Sequence, residues 1–262
     1  MPPTTATTVT LVVGAAVLGL VIGSFLNVVV YRAPRRISIV RPGSTCPRCG
    51  TLLGARENVP VLSWLVLRGR CRHCGEPISP RYPLVELVTG AAFAVTAWAV
   101  GPSGALAPLL AVVAATIAAS VIDHDGFAVP AMVLTVALCG AVGLIVVSAA
   151  DHGTGRLAWG AVGAVAASLA AVPGLVRGGP VARARWPGIL VTTAVLGWCS
   201  GWLWPIGAPA LAAWVGAVSL GGPPLARWGV TPRWPLTEGR WLLPASFGAY
   251  WILIAGASVH GP

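Results

Sequence analysis

Ser44-Thr45-Cys46-Pro47-Arg48-Cys49-Gly50 and Gly69-Arg70-Cys71-Arg72-His73-Cys74-Gly75 carry two CxxC pairs, with 21 residues between Cys49 and Cys71. Cysteines two residues apart can bring both sulfurs to one ion, and two such pairs can close a tetrahedral thiolate site. A glycine follows each pair, which permits the tight turn that aims backbone N–H groups at the sulfurs. Cys46, Cys49, Cys71 and Cys74 are therefore read as the ligands of one structural zinc. Nothing else in the chain suggests redox chemistry, so zinc is preferred to iron. Unligated thiols or a redox pair are the competing reading, and the paired spacing with both glycines weighs against them. His73 reads as a solvent-facing neighbour, not a fifth ligand.

The surroundings of this loop set the class. Hydrophobic residues make up 56% of the chain and charged residues 9%, against about 25% charged in a soluble domain. Mean hydropathy is +0.82. The fold class expected is an all-α polytopic membrane protein carrying a small zinc-ribbon-like loop domain. Windows of about 20 apolar residues place eight spans near 9–31, 84–101, 105–122, 129–149, 155–176, 188–204, 206–222 and 241–258. This divides the chain into a first transmembrane helix (1–31), a four-cysteine loop domain (32–83) and a membrane-embedded helical domain (84–262). At about 50 residues the loop lies near the lower size limit for independent folding, and a bound metal would supply stability.

All 17 basic residues are arginine and the net charge is +10. The arginines flank apolar segments, which points to topology and contact with membrane lipids and away from nucleic acid. Ten of them (between Arg32 and Arg81) fall in the first loop. The positive-inside rule then makes that loop cytoplasmic and the N-terminus external. Arg183 and Arg185, and Arg227 and Arg233, fall inside on the same alternation. No basic residue precedes the first apolar run, so an uncleaved first helix is expected in place of a secretory signal. Thiolates in a cytoplasmic loop suit a reducing compartment. Cys139 and Cys199, within apolar segments, read as buried small hydrophobes.

Seven acidic residues can be weighed one by one. Asp123 and Asp125 close the third span, in Ser120-Val121-Ile122-Asp123-His124-Asp125-Gly126. An ionisable group at the bilayer edge is costly, and so is a functional candidate by default. Positions two apart point to nearly opposite sides of a helix, and Gly126 marks the helix end. Asp123 is the stronger candidate; for Asp125 a solvated helix end is the favoured reading, with a catalytic role as the alternative. Glu86 is expected to pair with Arg81 or to cap the second span. Glu57, Glu76 and Glu238 are expected to be solvated, and Asp151 to lie on the far side of the bilayer.

Taken together, these motifs resemble the type IV prepilin peptidases/N-methyltransferases, a family of membrane aspartyl peptidases. The resemblance rests on Gly23-Ser24-Phe25-Leu26-Asn27-Val28-Val29-Val30-Tyr31-Arg32, the two CxxC pairs, Asn58-Val59-Pro60-Val61-Leu62-Ser63-Trp64, and Pro77-Ile78-Ser79-Pro80-Arg81-Tyr82-Pro83-Leu84-Val85-Glu86. It continues at Asp123, which takes the place of the family's first catalytic aspartate, and at Val129-Pro130. The resemblance implies cleavage of the basic leader of type IV prepilins or pseudopilins. It also implies location in the bacterial inner membrane and, with methyl transfer, S-adenosylmethionine as a cofactor. No Gly-rich nucleotide fingerprint supports that cofactor independently.

The second half departs from the pattern. The family's second aspartate, in a Gly-x-Gly-Asp motif, has Ile189 at the matching register, and no acid occurs between Asp151 and Glu238. Aspartyl proteolysis needs one ionised carboxylate to activate water and one protonated to polarise the scissile carbonyl. Two expectations follow. One is a working peptidase pairing Asp123 with Asp125 or Glu238; the other is a relative that binds prepilins or assembly partners without cutting them.

Overall fold

The computed structural model describes residues 5–46 and 48–151. The expected spans at 155–176, 188–204, 206–222 and 241–258, the register around Ile189, and Cys199 and Glu238 lie outside the described residues. The chain divides into two compact units, Met1–Pro102 and Ser103–Pro262.

In the first unit, α1 (Thr5–Arg32) and α3 (Arg81–Val100) flank a loop that carries the short helix α2 (Leu62–Val66). Both flanking helices are long and apolar enough to cross a membrane. β-Branched residues crowd α1, yet it is helical throughout. In an apolar medium every backbone N–H and C=O must be satisfied within the segment, which overrides modest propensity. The hydroxyls of Thr89 and Thr96 donate to the carbonyls four residues back, at 2.7 and 2.9 Å, so neither is left unmet in the core.

α1 and α3 pack antiparallel through small residues. A Cβ on Gly19 would meet the Thr89 carbonyl oxygen at 2.7 Å, and one on Gly23 would meet the Glu86 Cα at 2.7 Å. One turn further along, Asn27 Nδ2 donates to the Tyr82 carbonyl at 3.1 Å. Residues 19, 23 and 27 thus face 90, 86 and 82, in steps of one turn on both helices. Glycines allow this close approach, which supplies packing where lipid provides no hydrophobic drive. At the end of α1, Arg32 gathers the following loop. Its guanidinium donates to the carbonyls of Ser38, Pro42 and Gly43 at 3.1, 2.7 and 3.0 Å.

The described part of the second unit holds α4 (Leu106–His124) and α5 (Ala131–Asp151). α4 is a third helix long and apolar enough to span, and α5 holds a shorter apolar stretch, Ala131–Val147. They meet where Gly140 faces the first turns of α4, since a Cβ there would lie 2.8 Å from Val112 and 2.9 Å from the Pro108 carbonyl oxygen. The four long helices described match the first four expected spans to within four residues at each end.

Candidate metal centre and carboxylate positions

The two cysteine pairs form knuckles of the same construction. In the first, the Cys46 N–H donates to Thr51 O at 3.0 Å and the Gly50 N–H to Cys46 O at 2.9 Å. In the second, the Cys71 N–H donates to Glu76 O at 2.8 Å and the Gly75 N–H to Cys71 O at 2.9 Å. Gly50 and Gly75 take φ of +70 and +72, the left-handed conformation that glycine enters without a Cβ penalty. Isolated β-bridges, Thr45 with Leu52 and Arg70 with Pro77, close each turn. The first cysteine of each pair is buried and the second exposed.

The four sulfurs all lie within 4.8 Å of one another. A zinc–sulfur bond of about 2.3 Å sets the edge of a thiolate tetrahedron at about 3.8 Å, and Cys46 Sγ lies 3.8 Å from Cys74 Sγ across the two knuckles. The donor set fits a tetrahedral ion, so the cluster can hold a metal. Hydrogen bonds and desolvation around the sulfurs also separate the thiols' acidities. Cys49 is lowered to about 6, chiefly by the Thr51 hydroxyl 3.3 Å away and then by the Thr51 backbone. Hydrogen bonds from the Cys74 and His73 backbones lower Cys71. The Glu76 backbone pulls Cys74 down, but desolvation and the neighbouring thiols outweigh it and raise Cys74 to about 12.

Glu86 has a role that the sequence reading missed. It is buried at 8% exposure, and its Oε2 accepts the Val61 N–H at 2.7 Å. Val61 has φ +61 and ψ −50, strained for a β-branched residue. The carboxylate therefore fixes the backbone turn that starts α2. The available signal was an acid five residues inside an apolar helix, a costly placement that asks for a partner. On the other side of α2, Trp64 Nε1 donates to the Ile78 carbonyl at 3.0 Å, and its ring closes over Gly69. α2 is thereby tied both to α3 and to the stretch that leaves the second knuckle. Beneath it, a cleft of about 400 Å³ runs between α1 (Val21, Ser24, Phe25, Val28) and the 55–60 segment.

The remaining acids divide between expected and unexpected. Glu57 is not solvated: its side chain is 10% exposed, lies 3.5 Å from His73 Nε2, and accepts the Gly54 N–H at 2.8 Å. Glu76 and His73 are exposed, as expected. Asp123 is 1% exposed at the end of α4. Asp125 follows the helix as its C-cap at φ −73, with its N–H still bonded to Val121 O at 3.1 Å. Gly126, at φ +86, turns the chain away. At about 100° per residue, Asp125 leaves the helix about 200° round from Asp123, so the backbone does not bring the two carboxylates to one face. Cys139 is exposed on α5 and not buried. An apolar helix that spans can present small hydrophobes to lipid, so burial within the protein need not follow from an apolar neighbourhood.

Residues 17–100 match the family model described as the Bacterial Peptidase A24 N-terminal domain. Over 114 residues the chain is 54% identical to a prepilin leader peptidase/N-methyltransferase of Myxococcus xanthus, covering 44% of this chain and 34% of that protein. It is 46% identical to a protein of the same description from Burkholderia pseudomallei over 139 residues, covering 43% of this chain and 45% of the relative. A type 4 prepilin-like proteins leader peptide-processing enzyme of Escherichia coli is 44% identical over 129 residues, covering 42% of this chain and 48% of the relative. The chain thus spans between a third and a half of the length of these relatives. No solved structure matches.

Proposed function

We propose, from the match of residues 17–100 to the Bacterial Peptidase A24 N-terminal domain, that the chain is a prepilin leader peptidase of the bacterial inner membrane. Its substrates are type IV prepilins or pseudopilins, whose basic leaders it removes. The observation that carries this reading is the identity of 44–54% to the three relatives named above, beside a family match over 17–100 that spans the four-cysteine loop. The three-part division at 1–31, 32–83 and 84–262, the eight spans and the cytoplasmic placement of that loop belong to the same proposal, supported by the arginine distribution. Cys46, Cys49, Cys71 and Cys74 hold zinc in it as a structural ion; the fit of the sulfurs to a tetrahedral edge supports this.

For the chemistry, Asp123 is the carboxylate that activates water, and Asp125 supplies the second carboxyl. Burial of Asp123 at the end of an apolar helix supports its part. Asp125 reaches the same site only if the turn at Gly126 reorients, since its backbone remains in helical register. N-methylation of the new terminus, in keeping with the N-methyltransferase part of two of the relatives' names, would draw on S-adenosylmethionine. The cleft beside α1 has Ser24, Ser44 and Asn58 as its polar lining and no carboxylate to hold ribose hydroxyls. It does not fit that cofactor.

The test is cleavage of a prepilin in membranes containing the chain, its Asp123→Asn variant and its Asp125→Asn variant. Cleavage by the parent and its loss by orders of magnitude in Asp123→Asn is the expected result. Cleavage that survives Asp123→Asn removes that residue from catalysis. A parent that binds prepilin and never cuts it supports the non-cutting relative instead.

A further inference from the structure

α2 is amphipathic the wrong way round for a soluble module. Leu62, Leu65 and Val66, at positions i, i+3 and i+4, are 60%, 57% and 80% exposed. The opposite face does the packing: Trp64 bonds the Ile78 carbonyl and Ser63 Oγ the Val59 carbonyl at 2.8 Å. By contrast, the exposed run of the second knuckle, Arg72-His73-Cys74-Gly75-Glu76-Pro77, has no large hydrophobic residue.

The packing of α1 on α3 sets the depth of α2. The Val61 N–H is bonded to Glu86, and Glu86 lies five residues inside α3 from Arg81, about 7.5 Å along the helix axis at a 1.5 Å rise per residue. The cleft is at a compatible level: Ala55, Asn58, Val59 and Pro60 line it together with Val21, Ser24, Phe25 and Val28 of α1, in the turns that face the start of α3. Helices that lie in a membrane interface bury their apolar face about 5–10 Å into the boundary of headgroups and acyl chains. In its first two turns α3 also exposes Leu84 and Leu87. Exposed arginines, Arg56 before α2 and Arg68 and Arg70 after it, carry the charge that suits an anionic headgroup layer.

We propose that α2 is an interfacial helix, its Leu62–Leu65–Val66 face sunk in the leaflet next to the four-cysteine loop, and that anionic phospholipid is its partner. Trp64 then makes it the foot on which the second knuckle stands, so lipid fixes the height of the metal centre above the bilayer. The proposal rests on α1 and α3 spanning and not on peptidase activity.

The experiment places a photo-reactive p-benzoylphenylalanine at Val66, at Leu62 or at His73 in the full chain, reconstituted in vesicles of phosphatidylethanolamine and phosphatidylglycerol. After illumination, mass spectrometry reads lipid and protein adducts, and only samples that retain bound zinc are compared. Lipid adducts at positions 66 and 62 should exceed those at 73 by about tenfold, as burial of one face and not the other requires. Adducts at 66 and 62 no more abundant than at 73, or a protein–protein adduct in their place, would overturn the proposal.

Discussion

A carboxylate buried in an apolar helix is costly unless something accepts its charge, and Glu86 shows what the cost secures. It satisfies the backbone N–H of Val61 and holds a β-branched residue at φ +61. Glu86→Ala leaves that N–H unmet and should destabilise the loop by about 1–3 kcal/mol. Glu86→Gln, which keeps an acceptor oxygen, should recover most of the loss; thermal unfolding in detergent reads both. The thiols make a second prediction at this scale. In metal-free protein near neutral pH, Cys49, lowered to about 6, is largely thiolate, whereas Cys74, raised to about 12, is protonated. Because the thiolate is the nucleophile, limited alkylation followed by peptide mapping should find Cys49 modified first and Cys74 last. The signs for folding also differ. The contribution of Cys49 is present above the ordinary thiol value of 9.0 and is lost as pH falls through about 6. That of Cys74 is present below 9.0 and is lost as pH rises through about 12.

At the scale of elements, the contact between α1 and α3 is a row of missing side chains. Gly23→Val drives a branched side chain into the backbone at Glu86, where even the Cβ would sit 2.7 Å from the Cα. Overpacking of this kind costs about 1–3 kcal/mol. Gly14→Val meets nothing within 4 Å and serves as the control, with little change expected. Comparing the two by protease sensitivity of the intervening loop separates loss of the helix pair from a general effect of β-branching. The same pair explains why Glu86 was misread from the sequence. Its hydrophobic neighbours reveal that it is inside, but only the return of the chain at Val61, twenty-five residues earlier, reveals its partner. Glu57 was misread in part for the same reason: its contact with His73 depends on the loop's path, whereas its bond to the Gly54 N–H, three residues back, is local.

For the molecule as a whole, the metal should decide whether the loop is folded. One equivalent of zinc is expected in the purified protein. Less than about half an equivalent, with all four thiols freely alkylated, would contradict the site. Zinc binding should weaken as pH falls, steeply once Cys49 protonates near 6, because the ion must displace protons from its ligands. Spacing and composition alone determined the membrane class, the first four helices and the cysteine set, since a CxxC turn and an apolar run of about 20 residues are local properties with few alternative structures. Tertiary structure decided the level of α2 along α3, the partner of Glu86, the burial of Asp123 and the exposure of Cys139. Each of those depends on where a distant stretch of chain returns, and no local pattern encodes that return.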